Sequence, residues 1–159
     1  MSNTLAKNLR GDRVERLTLR SVFSVTPATT VSQAVRGMNE QRAGCALVTD
    51  PAGKLIGIFT ERDFLSRVVA AGLKAEATAV ERVMSPAPRT VAPHDSVYDA
   101  VEAMASGNFR HLPVVQTDGT ALGVLSVKDV MRYLVEYFPA QVYNLPPSPD
   151  QTQPAREGA

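Results

Sequence analysis

Apolar residues along this chain change their spacing at regular points, and each change marks an element. Val31, Ala34, Val35 and Met38 recur at the i, i+3, i+4 and i+7 positions, as do Val97, Ala100, Val101 and Met104, so each set forms one buried stripe of a helix. Thr30 stands before the first stripe with Gln33 three residues on, and Ser96 before the second with Asp99; both are helix starts in which hydroxyl and N3 side chain can cap each other. Short extended segments, Phe23 to Val25 and Arg89 to Val91, precede these helices and run to a proline. After each helix come two compact apolar runs, 45–49 with 55–60 and 111–116 with 121–126. Asp50-Pro51-Ala52-Gly53 and Gln116-Thr117-Asp118-Gly119 separate them as turns, which predicts two hairpins. Closing helices are predicted over 61–72 and 127–138. Each half therefore reads β-α-β-β-α, an α/β (α+β) pattern.

The halves are copies. Residues 15 onward lie on residues 81 onward at an offset of 66 without a gap, with Val25/Val91, Pro27/Pro93, Met38/Met104, Gly57/Gly123, Asp63/Asp129 and Val69/Val135 among the identities. The repeat divides the chain into an N-terminal arm (1–14) expected to be loosely ordered, a first unit (15–72), a connector (73–80), a second unit (81–138) and a tail (139–159). The tail is rich in Pro, Gln and small residues and is expected to be disordered, most clearly from Asn144.

The most informative duplicated stretch is Gly57-Ile58-Phe59-Thr60-Glu61-Arg62-Asp63, repeated as Gly123-Val124-Leu125-Ser126-Val127-Lys128-Asp129. Each is a strand passing directly into a helix at a hydroxyl residue. Such a junction aims free backbone N–H groups and the positive end of the helix dipole at one point, an expected anion site. Thr60/Asp63 and Ser126/Asp129 also fit a plain capping box. Capping does not account for the cation that recurs beside each acid, Arg62 and Lys128.

Composition narrows the chemistry. With 44% hydrophobic residues in 159, the chain can bury a core without staples. The single cysteine, Cys45, lies in an apolar run and reads as a reduced core thiol, which fits a reducing, cytoplasmic setting. No apolar stretch is long enough for a membrane span. A net charge of +1 with dispersed cations argues against nucleic acid or anionic lipid as a partner. Two histidines and one cysteine, apart in sequence, give no metal site, and no nucleophile-base pairing marks an enzyme.

With the repeat, both junction motifs and the segment Arg110-His111-Leu112-Pro113-Val114-Val115 in view, residues 15–138 closely resemble a tandem pair of CBS domains, as in small stand-alone bacterial CBS proteins. The resemblance implies two units packed sheet to sheet about a pseudo-twofold axis, with two clefts for an adenine nucleotide or related adenosyl compound: AMP, ADP, ATP, NAD or S-adenosylmethionine. It implies a homodimer that senses and signals to a regulated protein, with no catalysis and no catalytic cofactor. Carried over, Asp63 and Asp129 match the acid that accepts from ribose hydroxyls, and Thr60 and Ser126 the hydroxyl that contacts ribose or phosphate. Arg62, Lys128, Arg110 and His111 are the phosphate candidates. Because Gly44-Cys45 stands where the second unit has Arg110-His111, these two residues are expected to serve one cleft and not the other. The alternative is a dimerisation or interaction module whose clefts stay empty.

Overall fold

In the computed structural model, which describes residues 2–143, strand β1 (Ser24–Val25) leads into α2 (Val31–Glu40), the hairpin β2–β3 (Cys45–Thr49, Leu55–Thr60) and α3 (Glu61–Asp63). Helix α3 continues as wider π-helical turns over Phe64–Val69, short of the predicted residue 72. The second unit holds α4 (Val97–Gly107), the hairpin β5–β6 (His111–Val115, Ala121–Ser126) and α5 (Val127–Tyr137). Thr30 caps α2 through a reciprocal bond pair with Gln33, and Ser96 accepts from the Asp99 N–H. Gly53 and Gly119 take positive φ values of 78° and 86° in the two hairpin turns, a conformation that costs glycine little.

Strand periodicity sorts the side chains into three cores. Ala46 and Val48 of β2 join Val31, Ala34 and Met38 of α2 in the first unit's core. The alternate residues Cys45 and Leu47 face the other way and pack with Ile58 and Val124 between the two sheets. Val97, Ala100, Met104, Leu112 and Leu125 build the second unit's core. The hairpins meet where Lys54 bridges its own repeat equivalent, Thr120, with the Leu55 N–H donating to the Gly119 carbonyl at 3.1 Å. Lys54 Nζ also reaches Asp118 at 2.8 Å and Thr120 Oγ1 at 3.1 Å.

Each unit borrows its edge from the opening residues of the other. Strand β4 (Ser85–Pro86), near the start of the second unit, pairs antiparallel with β3 of the first. Arg20, near the start of the first unit, pairs antiparallel with Val124 in β6 of the second. The exchange extends upstream: Val14 and Glu15 donate to the carbonyls of Asp95 and Pro93, and Val80 and Glu81 to those of Thr29 and Pro27. A repeat boundary drawn on sequence therefore does not coincide with a packing boundary.

Two terminal expectations are corrected. Residues within the expected loose arm form α1 (Ser2–Gly11), because Leu5 and Leu9 insert into the second unit's core and the Arg10 guanidinium stacks 3.6 Å from the Tyr98 ring centroid. The expected tail begins with α6 (Pro139–Tyr143), where a proline at the first helical position forgoes no hydrogen bond. Residues 144–159 lie outside the described residues. Among the described residues no helix is long and apolar enough to cross a membrane.

Candidate functional site

Both strand-to-helix junctions close on themselves in the same way. Asp63 Oδ2 accepts from the Thr60 N–H at 2.9 Å and the Thr60 hydroxyl at 2.8 Å, and the Asp63 N–H returns to Thr60 Oγ1 at 3.3 Å. Asp129 Oδ2 accepts from the Ser126 N–H and hydroxyl, and its N–H returns to Ser126 Oγ. The next N–H groups are also engaged: Glu61 donates to the Gly44 carbonyl at 3.3 Å and Val127 to that of Arg110 at 3.1 Å, bonds related by the repeat. This corrects the expectation of a cluster of free backbone donors, since the cap and the neighbouring hairpin consume most of them. It also defines the hydroxyls: the proton is given to the carboxylate and one lone pair to an N–H, leaving one acceptor site. Thr60 and Ser126 therefore suit a donor such as a ribose hydroxyl, and suit a phosphate oxygen poorly.

Arginines stand behind the acids. Arg67 Nε lies 3.6 Å from Asp63 Oδ1, Arg20 Nε 3.5 Å from Asp129 Oδ2, and Arg132 Nη1 3.7 Å from Asp129 Oδ1. Asp63 and Asp129 are both buried.

Two cavities flank these junctions. The smaller, of about 390 Å³, takes in Thr60, Arg62, Asp63, Phe109, Arg110 and His111. The larger, of about 980 Å³, takes in Arg20, Arg110, His111, Ser126 and Lys128 and runs on along α2. Asp129 sits behind Ser126 and does not line the larger cavity, so of the eight candidates it is the one set back from open space. Arg62 also ties the units together, its Nη1 donating to the Asn108 carbonyl at 3.0 Å.

Arg110 and His111 line both cavities, which corrects the expectation that they serve one. The reason is Gly44: a Cβ there would come within 2.6 Å of His111 Nε2, so the glycine admits the imidazole to the shared wall. Burial pushes the His111 imidazole below its usual pKa, a shift that Glu61 opposes and Arg20 reinforces. At neutral pH it is therefore uncharged, and the fixed cation of the pair is Arg110.

Sequence reasoning missed Arg20, Arg36, Arg42, Arg67 and Arg89 as cavity-lining cations. Arg67, four residues beyond Asp63, was legible from helical spacing. Arg20 was not, because the exchanged edge brings it to Asp129. Cys45 is buried and its thiol is pushed up to about 12, first by burial and then by Glu61, which suits an inert core thiol.

The fold and its clefts define a duplicated α+β module with a capped acid beside each cleft. The CBS domain model matches residues 14–70 and again 80–136, and the chain belongs to the CBS domain family. A CBS domain-containing protein of Arabidopsis thaliana, CBSCBSPB2, is 37% identical over 118 residues, a match covering 74% of this chain and 22% of that much longer protein. A 17.7 kDa protein of Acidianus ambivalens is 32% identical over 124 residues, covering 78% of this chain and 74% of the relative. Among solved structures, a CBS domain protein from Pyrobaculum aerophilum complexed with AMP superposes with a TM-score of 0.69 at 30% identity, covering 74% of this chain and 89% of that one.

Proposed function

We propose that this chain is a regulatory module that binds an adenosyl nucleotide in its clefts and passes that occupancy to a partner protein. The observation that carries this reading is the duplicated hydroxyl-acid cap beside two cation-lined cavities, with Thr60 and Asp63 lining the smaller and Ser126 lining the larger in front of Asp129. A capped carboxylate keeps spare acceptor sites on Oδ1, and the hydroxyl keeps one lone pair, which together suit the two O–H groups of a ribose. Arg62 and Arg110 can meet a phosphate from the smaller cavity, and Lys128 and Arg110 from the larger. The AMP complex of the Pyrobaculum aerophilum relative supports AMP as the first ligand to try; ATP, ADP, NAD and S-adenosylmethionine belong in the same screen.

The module acts as a homodimer. Leu65 and Val69 beyond α3, and their repeat equivalents Met131 and Val135 on α5, are exposed apolar residues at four-residue spacing. Two matching stripes on one small protein are surface that a second copy can cover.

The test is calorimetry of AMP with the wild type, with Asp63→Asn/Asp129→Asn, which keeps an acceptor for each cap, and with the double alanine variant. Saturable binding that weakens tenfold or more in both variants, about 1.4 kcal/mol, supports the reading. Wild-type affinity in both overturns the carboxylate assignment, and no binding of any adenosyl compound favours the empty-cleft interaction module.

A further inference from the structure

The two cavities differ in charge as well as size. The smaller sets Arg62, Arg67, Arg89 and Arg110 against Glu61 and Asp63, and Arg67 is already beside Asp63. The larger gathers Arg20, Arg36, Arg42, Arg110 and Lys128 around a single lining carboxylate, Glu61. These cations come from four separate parts of the chain: the exchanged lead-in, α2 and the turn after it, the start of β5, and α5. Among the described residues, Arg36, Arg42, Arg110 and Lys128 form no ion pair. Like charges brought together without partners repel, and an anion in the cavity between them removes that cost. Arg42 is held at a φ of 52°, a left-handed conformation uncommon for arginine, at the end of α2 beside the cavity.

We propose that the larger cavity is a polyphosphate site, taking a nucleotide with two or more phosphate groups, whereas the smaller takes a monophosphate. A phosphate monoester brings about −1.5 to −2 charges at neutral pH, enough for Arg62 and Arg110 in the smaller cavity. The larger cavity presents more positive charge than that and extends beyond the Ser126 junction along α2, towards Arg36 and Arg42. A chain of phosphates leaving the ribose at Ser126 has length and charge to follow that path, with Val35 and Phe64 as apolar wall. The adenosyl end of this inference rests on the function proposed above; the polyanion end rests on the cations alone.

Calorimetry without magnesium separates the two. The probes are AMP, ATP and inorganic triphosphate, on the full chain and on Arg36→Gln/Arg42→Asn, where asparagine tolerates the left-handed backbone. Both positions are exposed, and a melting curve checks that the variant folds. The proposal expects one of two binding steps to prefer ATP over AMP by about tenfold or more, the effect of one charge-assisted contact. The double variant should abolish that preference, and rising salt should weaken ATP more than AMP. Equal affinities for ATP and AMP at both steps overturn the proposal, as does a preference that survives in the double variant. If triphosphate binds and is lost in the double variant while no adenosyl compound binds, the polyanion site stands and the adenosyl reading fails. If none of the probes binds, both fail.

Discussion

His111 is held away from the water that would stabilise its cation, and this makes it a source of pH dependence. Its folded pKa lies below the ordinary value of about 6.5. As pH falls through about 6.5, the unfolded chain takes up a proton that the folded chain still refuses, so stability is lost until the folded pKa is passed. The melting temperature of the ligand-free protein should drop as pH falls below about 7, and His111→Gln should flatten that part of the profile. A slope unchanged in the variant would assign it to other groups. Cys45 makes a complementary case: with its thiol at about 12, the thiolate fraction at pH 8 is on the order of one in ten thousand. A thiol reagent at pH 8 should leave the native protein unlabelled and label it fully in denaturant; rapid native labelling would show that the inter-sheet core opens. The acids and hydroxyls of the junctions were legible in sequence because the chain states them twice. Gly44 was misread, since a glycine that appears only to lack a donor in fact makes room for His111.

The borrowed edges can be tested at two glycines that the repeat makes equivalent. A Cβ at Gly57 would meet the flexible end of Met84, at 2.4 Å from its sulfur, whereas one at Gly123 would meet the Arg20 carbonyl oxygen at 3.0 Å and Leu19 Cβ at 2.9 Å. A side chain can swing away and a paired backbone cannot. Gly123→Ala should therefore cost more stability than Gly57→Ala, by about 1–3 kcal/mol in the range of overpacked sites, read from denaturant melts. Equal costs would mean that the lead-in yields as easily as Met84. The hairpins and helix caps could be read from the sequence because they are local: turn residues and N-cap pairs act over four positions. Helix α1 could not, since Gly11-Asp12 looks like a break and the helix depends on burying Leu5 and Leu9 against the second unit. The exchanged strands escaped for the same reason, being two residues or fewer of regular pairing set by partners far along the chain.

The assembled molecule has two apolar stripes in equivalent places, and a dimer should depend on them. Leu65→Glu with Met131→Glu should convert a dimer to monomer in sedimentation at micromolar concentration; a dimer that survives both would place the interface elsewhere. The duplication suggests two independent pieces, but the packing joins them. The first unit is complete only with Val80 to Pro86, and the second only with Val14 to Arg20. Cutting the chain at Gly72 would leave each fragment holding its neighbour's edge, so neither should unfold cooperatively alone, and mixing them should restore one transition. The same arrangement governs assembly on the ribosome. The chain emerges N-terminus first, so Val14 to Arg20 leave the tunnel early and wait, unpaired and with Val14, Leu17 and Leu19 uncovered, for β6 to follow. The second unit cannot close until nearly the whole chain has been made, and a stalled or truncated product would carry an open sheet edge ready to join another chain.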